Sequence, residues 1–132
     1  MSTDPRVKSA LTTRDHYALN RAVRGILPRT FGWGTYHVGT SLTGEYRDVD
    51  VRTILSDDEF DAIFGTRPAL WSTFCYLVAD HLTRATGLPI DYQVQRRTEA
   101  NEKHPTGHRN PLGVGRRFAG GGDGTPKEWS AP

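Results

Sequence analysis

Asp48-Val49-Asp50-Val51-Arg52-Thr53-Ile54-Leu55 alternates more cleanly than any other stretch of the chain, and the fold is read outward from it. Successive side chains on a strand leave opposite faces. Val49, Val51, Thr53 and Leu55 therefore share one face, and Asp48, Asp50, Arg52 and Ile54 share the other. The pattern predicts a strand with its apolar side on a core and two carboxylates side by side on the opposite surface.

Downstream, Ser56-Asp57-Asp58-Glu59 is a capping box that opens a short helix carrying Phe60, Ile63 and Phe64 and stopping at Gly65. Asp57 and Asp58 sit in its first turn, where the helix dipole accounts for them, so they are assigned to structure. A longer helix is predicted from Thr66-Arg67-Pro68 to Gly87, with Trp71, Phe74, Cys75, Val78, Leu82 and Ala85 as its buried stripe. A further strand, Ile90 to Gln95, sets Ile90, Tyr92 and Val94 against Asp91, Gln93 and Gln95. Upstream, a helix begins at Thr12 or Thr13, runs through Leu19, Val23 and Leu27, and is expected to stop at Pro28. Thr35 to Val38 reads as a short strand, and Gly39 to Gly44 as a small-residue loop.

The order α, β, β, α, α, β predicts an α+β domain, a small mixed sheet with helices packed on one side, over residues 1–98. Residues 99–132 lose all periodicity and read as a Gly/Pro/Arg-rich tail. At 132 residues, one core is the expectation. With 36% hydrophobic and 24% charged residues, global disorder is excluded. A formal net charge of +2 does not argue for nucleic-acid binding, so any basic surface has to be local. The single cysteine, Cys75, cannot form an intrachain disulfide and lies in an apolar stripe, which makes it a core thiol. No apolar run is long enough for a membrane span, and Met1 to Ala10 has no apolar signal core, so a cytoplasmic protein is expected. The preference for arginine over lysine points to a GC-rich genome, bacterial or phage.

The candidate chemistry lies on the polar face. Asp48 and Asp50 are separated by roughly 6–7 Å along the strand, and two ionised carboxylates so close repel unless a cation sits between them. Hard oxygen donors of this kind suit Mg²⁺ or Mn²⁺. Asp91 completes a three-carboxylate cluster if its strand lies alongside. Gly39 permits close approach of a ligand, and the loop amides with the Thr40 and Ser41 hydroxyls can donate to phosphate oxygens.

This order of a strand, a Gly-Thr-Ser loop, Asp-Val-Asp on the next strand and one more acid on a later strand resembles the polymerase-β-type nucleotidyltransferase superfamily, in its minimal stand-alone members. The resemblance covers about Thr13 to Gln95 and rests on Val38-Gly39-Thr40-Ser41, Gly44, Asp48-Val49-Asp50-Val51 and Ile90-Asp91-Tyr92. Thr40 stands where the family usually shows serine or glycine, and the loop before Asp48 is short. The resemblance implies an enzyme that moves a nucleoside monophosphate from an NTP, ATP among them, to a hydroxyl with release of pyrophosphate. Asp48, Asp50 and Asp91 would be metal-binding and catalytic, with Gly39, Thr40 and Ser41 holding the triphosphate.

Arg52, on the acids' own face, is assigned to phosphate neutralisation; Arg47 serves that role equally well or only balances local charge. Within Gly107 to Arg117, His108, Arg109, Arg116 and Arg117 can cover a triphosphate or touch an RNA backbone, or the segment is a solvated tail. His104 and His108 have the spacing of half a zinc site, but without a second ligand pair they read as loop residues, and His37 reads as packed. The acceptor is open between a small molecule, a protein side chain and an RNA end, and so small a domain favours a homodimer, a partner protein or a macromolecular acceptor. Two other classes stay in view: an inactive nucleotide-binding or interaction module of the same fold, and an RNA-binding adaptor acting through residues 101–132.

Overall fold

The computed structural model describes residues 7–113. Arg116 and Arg117 lie outside the described residues. Helix α1 (Thr13–Phe31) opens with a capping box in which the Thr12 hydroxyl accepts from the Asp15 amide and Asp15 returns the bond to the Thr12 amide, both 3.0 Å. Pro28 does not stop this helix, contrary to expectation. A proline so near the C-terminus costs only the bond to the Arg24 carbonyl, and its fixed φ is helical. The final turn closes through the Gly32 amide on the Pro28 carbonyl at 2.8 Å, and the buried Pro28 ring packs on the core.

Strand β1 (Thr35–Val38) leads through a 3₁₀ turn at Thr40–Leu42 into β2 (Val49–Leu55). Two helices, α2 (Asp57–Phe64) and α3 (Pro68–Thr86), then carry the chain to β3 (Ile90–Arg96), which pairs in parallel with β2. Ser56 caps α2 by accepting from the Glu59 amide, and Gly87 ends α3 in the left-handed conformation. The described sheet has the order β3-β2-β1-β4, with β1 antiparallel to both its neighbours. The fold is thus α+β with a mixed sheet, as the alternation pattern predicted.

The inner face of the sheet is buried against α1, α2 and α3 through Leu19, Val23, Leu27, Val49, Val51, Phe64, Val78, Leu82, Tyr92 and Val94. Beneath this apolar layer a buried chain of hydroxyls links three strands: Tyr92 donates to Thr53 at 2.7 Å, and Thr53 bonds Thr35 at 2.8 Å. The α3 stripe is narrower than predicted, because Ala85 is exposed, as is Ile63 on α2.

Regular structure continues past residue 98. Helix α4 (Arg97–Lys103) and a two-residue strand β4 (Asn110–Pro111) extend the domain to Gly113. The Asp57 carboxylate, expected to serve its own helix, accepts from the Thr98 amide at 3.1 Å and from the Thr98 hydroxyl, so the first turn of α2 caps α4. Arg96 joins the same tether by pairing with Asp61 and stacking over the Phe60 ring at 4.6 Å. Leu112 is buried, and the Gly113 amide donates to Asn20 on α1 at 2.7 Å. At the other end, Lys8 and Tyr46 exchange backbone hydrogen bonds and Leu11 is buried, so the expected polar lead-in is tethered to the domain at these points while residues 8–10 stay exposed. No helix among the described residues is long and apolar enough to cross a membrane.

Candidate functional site

Registry between β2 and β3 decides the geometry. Asp50 is paired with Asp91, so these two carboxylates stand on adjacent strands, on the face away from the main core. Parallel neighbours are spaced by roughly 4.8 Å, which brings the charges closer than the strand spacing within β2 would. Asp48 does not belong to β2; it occupies the bend before it and is exposed, a position at the rim of the cluster rather than on the sheet.

Arg52 lies between the paired acids. Its guanidinium approaches Asp50 Oδ1 at 3.7 Å and Asp91 Oδ2 at 3.4 Å, and it is anchored by bonds to the Asp91 carbonyl at 2.6 Å and the Val51 carbonyl at 3.0 Å. Burial pushes the Asp50 carboxyl above its usual range; Arg52 opposes that rise, Asp91 and Asp48 add to it, and His104 opposes it again. The three acids and one histidine therefore form one electrostatic unit around Asp50.

The glycine loop closes on this unit. Gly39 has φ +84 and ψ −167, a conformation nearly restricted to glycine. A β-carbon there would fall 2.5 Å from Asp50 Oδ2. Bare backbone thus lies directly against the central carboxylate. Of the two hydroxyls expected to face phosphate, only Thr40 is exposed toward the site. Ser41 is a correction: it is buried, and its Oγ bonds His37 Nε2 at 2.7 Å. The 3₁₀ turn rotates Ser41 inward, where its hydroxyl satisfies a histidine that is itself fully buried. Among the described residues that His37 ring has no partner for Nδ1; it faces His16 at 5.5 Å and has its pKa pushed down to about 4, first by burial and then by His16.

Three clefts meet at the acids. The first, of about 420 Å³, has Gly39, Thr40, Thr43 and Asp50 at one end, Arg52, Ile54 and Gln95 along its floor, and Ala100, His104, Gly107, His108 and Arg109 as its far wall. This volume is in the range of small-molecule sites. Arg109 reaches that wall with its guanidinium bonded to Asn101 at 3.0 Å, and the two histidines read as loop residues stand beside it. A second cleft of about 400 Å³ holds Thr40, Glu45, Arg47, Asp48 and Asp50. A third, of about 420 Å³, runs along the outer edge of β3 past Asp48, Asp91, Trp71, Tyr76 and Gln93.

Among the described residues, no three His, Cys, Asp or Glu side chains already stand close enough together to chelate an ion. The donor chemistry is that of a hard divalent cation all the same: Asp50 and Asp91 are paired across β2 and β3 with Asp48 at the rim, and Gly39 leaves room beside Asp50 Oδ2 that a side chain would fill. Arg52 is the cation that now partly balances them. Gln95, Thr43 and His104 escaped assignment from sequence. Gln95 stood on the correct face of its strand by alternation alone, whereas Thr43 and His104 reach the site through turns that no periodicity reveals. The chain matches no known protein-family model, and neither a characterised protein nor a solved structure compares with it significantly.

Proposed function

We propose that this domain transfers a nucleoside monophosphate from an NTP to a hydroxyl acceptor, releasing pyrophosphate. The observation that carries the reading is the close approach of the bare Gly39 backbone to the Asp50 carboxylate, which brings the glycine loop and the acids together. Neither feature alone would select this chemistry; carboxylates repel a triphosphate unless something positive lies between them. Asp48, Asp50 and Asp91 would hold Mg²⁺ or Mn²⁺, which when bound polarises the α-phosphate and favours the deprotonated acceptor.

The chain's own residues supply the rest. The Thr40 hydroxyl and the backbone after Gly39 donate to phosphate oxygens at the mouth of the first cleft. Arg52 and Arg109 bring positive charge to the floor and far wall of that cleft, where it balances the triphosphate. Asp91 borders the third cleft, on the opposite side of Asp50, so an acceptor hydroxyl entering along β3 meets a carboxylate able to take its proton. Donor and acceptor thus approach the acids from different sides, the arrangement that in-line displacement requires.

A second reading keeps the same binding but no turnover, and Arg52 favours it: the guanidinium already occupies the space between Asp50 and Asp91. One experiment separates them. Pyrophosphate release from each NTP is followed with Mg²⁺ or Mn²⁺ in a lysate that supplies acceptors, for the protein and for Asp50→Asn. Metal-dependent release lost in Asp50→Asn supports transfer. NTP binding without release leaves the inactive module, and an absence of both ends the reading.

A further inference from the structure

Gln95 is 6% exposed and lies in register with Ile54 on the floor of the first cleft, at the end away from the acids. Among the described residues its carboxamide has no hydrogen-bond partner; it opens into the cleft instead. The residue as a whole is buried while its amide group stays accessible from the cleft, so water or a ligand there can complete its hydrogen bonds. Its neighbours at this end are apolar: Ile54 is 7% exposed and Ala100 2%, and neither belongs to the main core. Apolar side chains beside an amide with free hydrogen-bonding capacity are the composition of a site for a planar heterocycle.

Its distance from the acids is also set by β2. Asp50, Arg52 and Ile54 follow one another on the same face, and four residues of strand span about 13 Å. A triphosphate held at Gly39 and Asp50 would therefore direct its nucleoside along the floor toward Gln95.

We infer that Gln95 reads the hydrogen-bonding edge of the nucleobase, held between Ile54 and Ala100, so that this protein binds its substrate through the base as well as the phosphates. The inference rests on the proposed nucleotidyl-transfer site and adds the residue that distinguishes a nucleotide from other polyphosphates. A carboxamide offers one donor and one acceptor side by side, which matches the paired groups on a base edge. Arg52 and Arg109 carry only donors and so cannot match a donor and an acceptor side by side.

The test is calorimetric binding to the full chain in Mg²⁺, with ATP, GTP, CTP, UTP and inorganic tripolyphosphate as separate titrants. The unmodified protein should bind at least one NTP about ten-fold more tightly than tripolyphosphate. Gln95→Met, of matching length and volume, should lose about ten-fold for that NTP, the cost of two hydrogen bonds, and bind tripolyphosphate unchanged. Gln95→Asn, which keeps the amide but withdraws it from the cleft, should fall in the same direction, and it carries the test if the methionine variant does not fold. Equal NTP affinity in the variant and the parent, or tripolyphosphate bound as tightly as any NTP, overturns the assignment of Gln95 alone. Failure of the unmodified protein to bind any of the five overturns the site itself.

Discussion

Replacing Gly39 with alanine isolates the contact on which the functional reading depends. The perturbation has two parts of different origin. Gly39 adopts φ +84 and ψ −167, and holding an alanine there costs roughly 1–3 kcal/mol. The added β-carbon would also lie 2.5 Å from Asp50 Oδ2, nearer than such atoms approach, so the carboxylate or the loop has to move. Asp50 cannot simply swing across the sheet, since Arg52 and Asp91 occupy that side. Urea denaturation of Gly39→Ala should therefore show a loss of roughly 1–3 kcal/mol. Stabilisation by Mn²⁺, followed as the rise in denaturation midpoint, should largely disappear as well. Gly44→Ala serves as the control: a β-carbon there meets nothing within 4 Å, and its stability should stay within about 0.5 kcal/mol of the parent. An alanine at position 39 that keeps both the stability and the Mn²⁺ response would refute the reasoning. A variant that loses stability but responds fully to Mn²⁺ would show that the loop and the acids do not share a site.

Three further predictions follow from particular side chains. His37 is neutral and buried with a pKa of about 4 against an ordinary 6.5, so the unfolded chain takes up a proton that the folded chain refuses. Stability should fall as pH drops from 6.5 toward 4, by about 3 kcal/mol in all, and His37→Gln should flatten that slope in denaturation curves taken across the range. Arg52→Ala leaves Asp50 and Asp91 facing one another without their shared cation; a loss of roughly 1–2 kcal/mol is expected near neutral pH, given their partial exposure. Mg²⁺ should restore more stability to that variant than it adds to the parent, and an identical Mg²⁺ response in both would count against the acids as an ion site. Asp57→Ala removes the cap on α4, so hydrogen exchange of amides 97–103 should accelerate while the rest of the domain stays protected; unchanged exchange there would mean the tether is idle.

What could be read from the sequence divides by the range of the interactions involved. β1, β2, β3, α2 and α3 all appear within a residue or two of expectation, because alternation, caps and the Pro68 and Gly87 signals act over a few residues. That Asp50 and Asp91 share one face followed from the same alternation, but the register that sets them opposite each other did not, since a two-residue slip keeps both on that face. α4 and β4 were not legible. Arg97–Lys103 presents only Ala100 as a buried residue, and its N-terminus is satisfied by Asp57, forty-one positions earlier. Strand β4 is two residues long and contains a proline, so it exists through its pairing with β1. Ser41 and Thr40 are equivalent in sequence; the 3₁₀ turn alone decides that one hydroxyl serves His37 and the other the cleft. A consequence for design is that an RNA-binding test by truncation has to begin after Gly113, since deletion from residue 101 would remove β4 and the buried Leu112.

The far wall of the first cleft is therefore the part of the site that depends most on long-range contacts. β2 and β3 position the acids through a parallel ladder buried on its inner face, and that half is rigid for the same reasons that the core is. The opposite half, with His104, His108 and Arg109, is suspended from α4, which is held at its start by Asp57 and Arg96 and at its end by the short pairing of β4. The Asp57 and Arg96 contacts are exposed and individually weak, and the β4 pairing is only two residues long, so the wall can yield locally without unfolding the sheet. A ligand spanning both halves would gain affinity from whatever ordering α4 already has. Loosening the Asp57 cap should then weaken nucleotide binding without altering how Mn²⁺ stabilises the acid cluster, and that separation is the signature of a two-part site rather than a single rigid pocket.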